Sequence, residues 1–322
     1  MVLALAAAGC SPQGQSGRGP ERPAVPDVRP LTGATAATVA EATLLHDRVE
    51  QAVAACMAER GHAYTPRPRT ASGRGEETNP YGLLTPRKAA ADGYGLVGEY
   101  HYLRTTPRPK AQPHGRSWQR ALTGTPAHRV RVRTPDGLRF EFSSDGCVAR
   151  GAERVYGKGW NRLRPVAAGL ANRVLEAVGR QPGYRAAIRR WSQCMTEAGH
   201  PAKDFQATRE AIDARLAKAT KGSAPPDPAV IKRLGRDELN RATADADCQV
   251  RTKIGKTVAR TQREVERKLL STADRRTIAR YTDLKQRALD AGVDSDQQAQ
   301  ETPERGAVSS SAGRFAGPSA VS

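Results

Sequence analysis

Apolar residues recur at helical spacing ahead of two almost identical heptapeptides. The first series is Val39, Ala42, Leu45, Val49, Ala52, Val53 and Cys56, and the second is Tyr184, Ala187, Ile188, Trp191, Cys194, Met195 and Ala198. Each series runs into the pattern Cys-Met-x-Glu-x-Gly-His, over residues 56–62 and 194–200. This spacing predicts two amphipathic helices, and Thr38 with Glu41 has the pattern of a capping box at the start of the first.

Both heptapeptides have the composition of a helix end. Glycine, at Gly61 and Gly199, is the usual left-handed stop of a helix. The methionine three positions inside should then pack against the histidine that follows, and the cysteine should face the core. This local role accounts for His62 and His200, and a ligand or catalytic role for these histidines is the alternative.

Between the two helices, residues 128–142 alternate between apolar and polar side chains. Val130 and Val132 share one face of an extended chain, as do Leu138, Phe140 and Phe142. The sequence Thr-Pro-Asp-Gly at 134–137 separates the two runs and is typical of a turn. The stretch therefore predicts a β-hairpin that delivers a cysteine, at position 147, just past its end.

After that cysteine the pattern is almost entirely helical. Apolar residues at helical spacing cover residues 166–179 and 205–219, and a long stripe runs from about 236 to 269. A new cap at Ser271 then starts a final helix. Narrow apolar stripes with strongly charged exposed faces favour an elongated helical hairpin. The predicted fold class is mainly α with a small β-hairpin region (α+β), disulfide-linked helices and a long C-terminal helical hairpin.

The beginning of the chain indicates a cellular compartment for the protein. Residues 1–9 form an apolar run that ends in small residues before Cys10, which resembles the end of a bacterial lipoprotein signal peptide. The next twenty residues are rich in Gly, Pro, Ser and Gln and suit a flexible tether. Because the apolar run is short and lacks a basic start, we expect the translation start to lie upstream.

These signals divide the chain into five parts. They are a signal peptide with a truncated start (1–9), a disordered tether (10–35), an N-terminal α+β region with basic loops (36–150), a C-terminal helical region (151–294) and a disordered tail (295–322). Lipidation of Cys10 would anchor the protein to the extracytoplasmic side of the cell membrane. No later stretch reaches the ~18 apolar residues that span a bilayer. A cytosolic N-terminus with a chance apolar run is the alternative.

Four cysteines remain besides Cys10: Cys56, Cys147, Cys194 and Cys248. An even number outside the cytoplasm indicates two disulfides, and three pairings are possible. Because each heptapeptide is followed by one further cysteine just after acidic residues, the duplication favours Cys56–Cys147 and Cys194–Cys248. The alternative is zinc held by two Cys and two His, although the spacing is unlike that of common zinc motifs. We expect neither a metal nor a cofactor.

The charge of the chain favours polyanionic neighbours. The formal net charge is +19 and the isoelectric point is about 10.3. Residues 67–133 contain 13 Arg or Lys against 4 Asp or Glu. Two loops in this region begin Thr-Pro-Arg-Pro, which favours an extended, solvated path. Arg67, Arg69, Arg108 and Lys110 are therefore the candidate anion-binding residues, and a solvated surface without a specific ligand is the alternative.

The chain lacks the sequence motifs of well-known catalytic sites. Gly-x-Ser-x-Gly, His-Glu-x-x-His and a phosphate-binding glycine loop are all absent from the sequence. We predict no catalytic residue and expect a non-catalytic binding or structural module that docks on an anionic cell-wall polymer, on lipid or on an acidic protein. One alternative is an extracytoplasmic enzyme of hydrolase type. A nucleic-acid-binding protein is the other, but the predicted compartment and the lack of an aromatic-rich platform make nucleic acid an unlikely partner.

Several short motifs together resemble a known group of proteins. They are "CMAERGH", "YGLLTPRKAAADGYG", "DGCVARGAERVYG", "WSQCMTEAGH" and "ADADC". This combination is similar to an uncharacterised secreted lipoprotein group of Streptomyces and related actinobacteria, and the resemblance covers about residues 39–289. It implies an extracytoplasmic, disulfide-bonded protein, and it implies nothing about a mechanism.

Overall fold

A computed structural model describes residues 27–69, 78–106, 115–222 and 226–291. Within these ranges the chain forms eleven α-helices and one two-stranded antiparallel sheet, which confirms the predicted mainly α fold with a small β-hairpin. In chain order the elements are α1 (Val39–Glu59), α2 (Pro86–Asp92), α3 (Leu96–Thr105), α4 (Arg116–Thr123), β1 (Arg129–Arg133), β2 (Arg139–Ser143), α5 (Cys147–Tyr156), α6 (Trp160–Gly179), α7 (Pro182–Glu197), α8 (Phe205–Ala219), α9 (Pro228–Arg251), α10 (Ile254–Leu269) and α11 (Thr272–Asp290).

The first heptapeptide ends helix α1 as predicted. At the start of the helix, the Thr38 hydroxyl accepts a hydrogen bond from the Glu41 N–H, and the Glu41 carboxylate accepts one from the Thr38 N–H. At the other end Gly61 has a φ of 73°, and the N–H of His62 donates to the carbonyl of Met57 at 2.9 Å. A bond across six residues with a left-handed glycine defines a Schellman motif.

The second heptapeptide builds the same helix end on α7. Gly199 has a φ of 78°, and the N–H of His200 donates to the carbonyl of Met195 at 2.8 Å. The methionine is fully buried in both copies, at Met57 and Met195. The duplication is therefore a repeated structural device, in which the glycine stops the helix and the methionine seals its end.

Two disulfides join each of these helix ends to a second helix. Cys56 of α1 is bonded to Cys147 at the start of α5, and Cys194 of α7 is bonded to Cys248 in α9. The pairing is the one that the duplication favours. The bridges close 91 and 54 positions of sequence, for which chain entropy gives roughly 4–5 kcal/mol of stabilisation each.

Strands β1 and β2 form the predicted hairpin. Val130 lies opposite Phe142, and Val132 lies opposite Phe140, so these apolar side chains share the inner face. Leu138 departs from the expected pattern. It lies in the turn rather than on the strand and is 63% exposed.

Helix α6 lies at the centre of the fold. It contacts α7, α10, α11, strand β1 and the short turn at Pro30–Gly33. The predicted apolar positions Leu170, Val174 and Val178 are fully buried. They pack in one cluster with Trp191 of α7, so the C-terminal helices share one main core.

The chain joins this core earlier than the predicted end of the tether at residue 35. Leu31 is 2% exposed, and its N–H donates to the Glu266 carboxylate at 2.7 Å. The carbonyl of Val28 accepts a hydrogen bond from Asn79. Burial of an apolar side chain with satisfied backbone groups favours docking of this segment over free solvation. The rest of the tether, Cys10 and the tail at 295–322 lie outside the described residues.

The long apolar stripe predicted over about 236–269 forms two helices rather than one. Helix α9 ends at Arg251, and Lys253 adopts a left-handed φ of 53° before α10 begins. The turn places Ile254 and Val258 in the main core. The predicted cap at Ser271 is confirmed, because its hydroxyl accepts the N–H of Asp274 at the start of α11.

Helices α2 and α3 pack against helix α9 of the C-terminal region. The side chain of Gln249 accepts the N–H of Leu84, and the carboxylate of Glu238 accepts the N–H groups of Leu96 and Val97 at 2.8 and 2.9 Å. The predicted regions 36–150 and 151–294 are therefore linked by buried hydrogen bonds.

Candidate functional site

The outer face of the β-hairpin carries four arginines and one glutamate. Alternation along both strands places Arg129, Arg131, Arg133, Arg139 and Glu141 on this face, and all five are exposed. Glu141 lies 3.6 Å from the guanidinium of Arg129 and 2.8 Å from that of Arg131. One carboxylate is thus shared by two arginines, and the face keeps an excess of positive charge.

Arg133 lies directly opposite Arg139 in the strand register. The Thr134 N–H donates to the Leu138 carbonyl, and the Ser144 N–H donates to the His128 carbonyl. The cross-strand pairs that exchange backbone hydrogen bonds are therefore those at even-numbered residues of β1. Arg133 and Arg139 therefore form a pair of the non-hydrogen-bonded kind, whose Cα atoms are typically about 4.5 Å apart.

Like charges at such a site are destabilising. Within the part of the chain that the structure describes, neither Arg133 nor Arg139 has an acidic partner. The pair is therefore an uncompensated cationic site at the tip of the hairpin, beside the exposed Leu138.

The hairpin tip is held firmly on α6. A Cβ added to Gly169 would lie 2.8 Å from the Pro135 ring and 2.9 Å from the Asp136 carboxylate, so the turn packs directly on the helix backbone. The Asn172 amide donates to Asp136 at 2.7 Å. Hydrogen bonds from the Thr134 hydroxyl and from Asn172 hold the pKa of Asp136 below its usual range. The arginine pair is thus presented by a rigid support.

The four predicted anion-binding residues have different surroundings. Arg67 lies 3.5 Å from the carboxylate of Glu50, and its Nε donates to the Tyr64 hydroxyl at 3.1 Å. Burial alone raises the pKa of Glu50, but hydrogen bonds from the Arg67 N–H and the Tyr64 hydroxyl outweigh it and leave that pKa below its usual range. Arg69 is half-buried and engaged in an interaction of its own. Arg108 and Lys110 lie outside the described residues.

The predicted basic region ended at residue 133, and neither Arg133 nor Arg139 was among the four predicted anion-binding residues. The signal that identifies Arg139 is the alternation of the hairpin itself, which places every second residue of both strands on one face. Once the register is known, Arg139 is identified as the residue directly opposite Arg133.

A second group of motif residues meets in a buried hydrogen-bond network. The indole N–H of Trp191 donates to Asp245 Oδ1 at 2.8 Å, and the Gln249 amide donates to the same oxygen at 2.9 Å. The Tyr94 hydroxyl donates to Asp245 Oδ2 at 3.2 Å and also contacts the Thr208 hydroxyl. The network joins three motifs that are far apart in sequence, "GYG", "WSQCM" and "ADADC".

Burial dominates the electrostatics of this network. Asp245 is 1% exposed, and burial raises its pKa to about 6 even though three donors favour the ionised form. Burial and the nearby Asp245 also raise the pKa of Tyr94. A fully bonded carboxylate of this kind fixes the arrangement of the helices around it.

The histidines of the heptapeptides do not form a common site with the cysteines. The four cysteines after Cys10 are all in disulfides, so the zinc alternative lacks its thiolate ligands. His62 contacts the Ser117 hydroxyl, while burial and the neighbouring Arg241 lower the pKa of His200. Among the described residues, no cluster of three or more His, Cys, Asp or Glu has the arrangement of a metal site.

Within the described ranges, no helix combines the length and the apolar character that crossing a bilayer requires. Comparison of the whole chain with protein-family models, with curated proteins and with solved structures finds no match.

Proposed function

We propose that this protein is an extracytoplasmic lipoprotein, anchored through a lipid on Cys10, which acts as a non-catalytic binding module on the anionic surface of the cell envelope. The observation that carries the proposal is the Arg133–Arg139 pair, where two exposed guanidinium groups have no acidic partner among the described residues and lie on a hairpin packed against α6. An anionic phospholipid or wall polymer would supply a negative charge to this pair, which has no acidic partner among the described residues.

The expected strength of this contact is modest. Each basic residue near an anionic membrane contributes about 1 kcal/mol, and transfer of the exposed Leu138 side chain out of water adds roughly 1–2 kcal/mol. The total of about 3–4 kcal/mol corresponds to a dissociation constant of roughly 1–6 mM. Such a weak contact is sufficient when a lipid anchor confines the module next to the surface, because tethering raises its effective concentration.

The anchor is tested by fractionation of the full chain in an actinobacterial host, with the upstream start included. We expect the protein in the membrane fraction, and we expect Cys10→Ala to release it. Recovery of the unchanged protein in the cytoplasmic fraction would contradict the proposed location.

The docking surface is tested by cosedimentation of the unlipidated full-length chain. The binding partners are vesicles with about one third anionic lipid, purely zwitterionic vesicles and purified cell wall. Binding to at least one anionic surface should weaken between low salt and 0.15 M, since the Debye length shortens to about 8 Å.

The matched variants separate this surface from the overall charge. Arg133→Glu with Arg139→Glu should abolish the salt-sensitive binding. Lys232→Glu with Arg233→Glu makes the same change in net charge at exposed positions of α9 and should have little effect. Equal loss in both double variants would show that the net charge, and not the hairpin, is responsible.

A further inference from the structure

A cavity of about 500 Å³ opens between the loop at residues 80–82 and helices α6, α7 and α8. Its size is within the range of small-molecule sites in proteins. The apolar part of its wall includes Leu175 of α6 and Phe205 at the start of α8. Phe205 makes an edge-to-face contact with Trp191, at 4.5 Å between ring centroids, so the cavity lies next to the buried network.

The charges around this cavity are arranged with the cation inside and the anions outside. Arg209 lines the cavity and turns inward, with its guanidinium 5.5 Å from the centre of the Tyr94 ring and its Nε buried without a partner. Glu210 and Asp213 also line the cavity and are exposed, and Asp204 is half-exposed.

Burial raises the pKa of Asp245, and the nearby positive charge of Arg209 opposes that rise, so Arg209 already has one acidic neighbour inside the protein. Within the part of the chain that the structure describes, however, neither Arg209 nor the three carboxylates form an ion pair within 4.0 Å. The full chain has 52 Lys and Arg residues, so three carboxylates without a basic partner around one cavity are an unusual local charge.

The walls provide aromatic surface between the two charged ends. Tyr81 and Tyr184 both line the cavity together with Phe205. Tyr81 is 5% exposed, and its hydroxyl has no hydrogen-bond partner within the described ranges.

We infer that this cavity binds a zwitterionic small molecule of amino-acid or dipeptide size. The ligand carboxylate pairs with the inner guanidinium of Arg209, the ammonium group faces the carboxylates at the mouth, and an apolar side chain packs on the aromatic wall. Two opposite charges on one small ligand match the two opposite charges of the site, and a ligand with only one of them leaves the other end unpaired.

The proposal is tested by NMR titration of the ¹⁵N-labelled full-length chain. The chain has three tryptophans, and their indole resonances are assigned with Trp118→Phe and Trp160→Phe. The Trp191 indole is bonded to Asp245 beside the cavity and serves as the reporter. The probes are leucyl-alanine, its N-acetyl form without the ammonium group, and its C-terminal amide without the carboxylate.

We expect a saturable shift of the Trp191 resonance with leucyl-alanine, and at least about tenfold weaker binding of each capped form. The double variant Glu210→Gln with Asp213→Asn should weaken the binding of leucyl-alanine at least tenfold. It should leave the affinity for the N-acetyl form unchanged, because that form has no ammonium group. Asp47→Asn is the control, since Asp47 is exposed on α1 and does not line the cavity.

Three results would overturn the inference. They are the absence of a Trp191 shift with any probe, equal affinity for the three probes, and an equal effect of the double variant on the free and N-acetyl dipeptides. Because Glu210 and Asp213 are exposed, we expect the double variant to fold like the wild type, and its thermal unfolding curve checks this directly.

Discussion

Reversal of one charge in the arginine pair should stabilise the protein while it weakens docking. Arg139→Glu replaces a repulsive cross-strand pair by an attractive one at the position opposite Arg133. Opposite charges at such sites contribute roughly 0.2–1 kcal/mol, and like charges cost a similar amount. Because both side chains are exposed, solvent and salt reduce these values. We therefore expect the free energy of unfolding to rise by about 0.5–1 kcal/mol at low salt, and by less at 0.5 M salt.

The assay is urea unfolding of the disulfide-intact protein, followed by circular dichroism. Arg139→Gln should fall between wild type and Arg139→Glu, since it removes the repulsion without adding an attraction. Arg133→Glu alone should also stabilise. The double variant restores two like charges and should return to the wild-type midpoint, so its loss of docking cannot be attributed to unfolding. A midpoint that falls in both single variants, or a double-mutant cycle without coupling, would refute the repulsive geometry.

Three further predictions concern the core and the bridges. Since the folded pKa of Asp245 is raised to about 6, the stability that it contributes is complete below about pH 4 and is lost as the pH rises through 6. Asp245→Asn should therefore reduce the dependence of the urea midpoint on pH. At pH 7.5 it should raise the free energy of unfolding by up to roughly 2–3 kcal/mol. Gly169→Ala should lower the free energy of unfolding by about 1–2 kcal/mol, because the added Cβ would clash with the hairpin turn. Gly179→Ala is the control and should not destabilise the fold, because no atom lies within 4 Å of the added Cβ. Peptide mapping without reduction should recover Cys56 with Cys147 and no peptide that links the two heptapeptides.

The features that the sequence predicted correctly depend on local rules. The two helix ends follow from glycine at a fixed distance after a helical apolar series, at Gly61 and Gly199. The hairpin follows from alternation around a turn. The disulfide pairing follows from the duplication, in which each heptapeptide precedes one further cysteine. None of these inferences requires knowledge of which helices are neighbours.

The features that the sequence did not predict depend on distant contacts. Leu31 lies in a segment with the composition of a tether, and its burial is possible because Glu266 accepts its N–H across 235 positions of sequence. The stripe from 236 to 269 keeps helical spacing through Lys253, where one left-handed residue divides it. The charged cavity likewise joins a loop near residue 81 to a helix near residue 209. The spacing of apolar residues along the chain does not indicate such long-range contacts.

The motifs "WSQC" and "ADADC" contact each other in the structure, which accounts for their similar spacing. Trp191 precedes Cys194 by three residues in α7, and Asp245 precedes Cys248 by three residues in α9. Residues three apart lie on the same face of a helix. The Trp191–Asp245 hydrogen bond and the Cys194–Cys248 disulfide are therefore two contacts between the same pair of faces, separated by about one helical turn. One contact alone allows the helices to pivot, whereas two fix their register. Because Tyr94 bonds the same carboxylate and Phe205 packs on the same indole, this register also determines where the walls of the adjacent cavity stand.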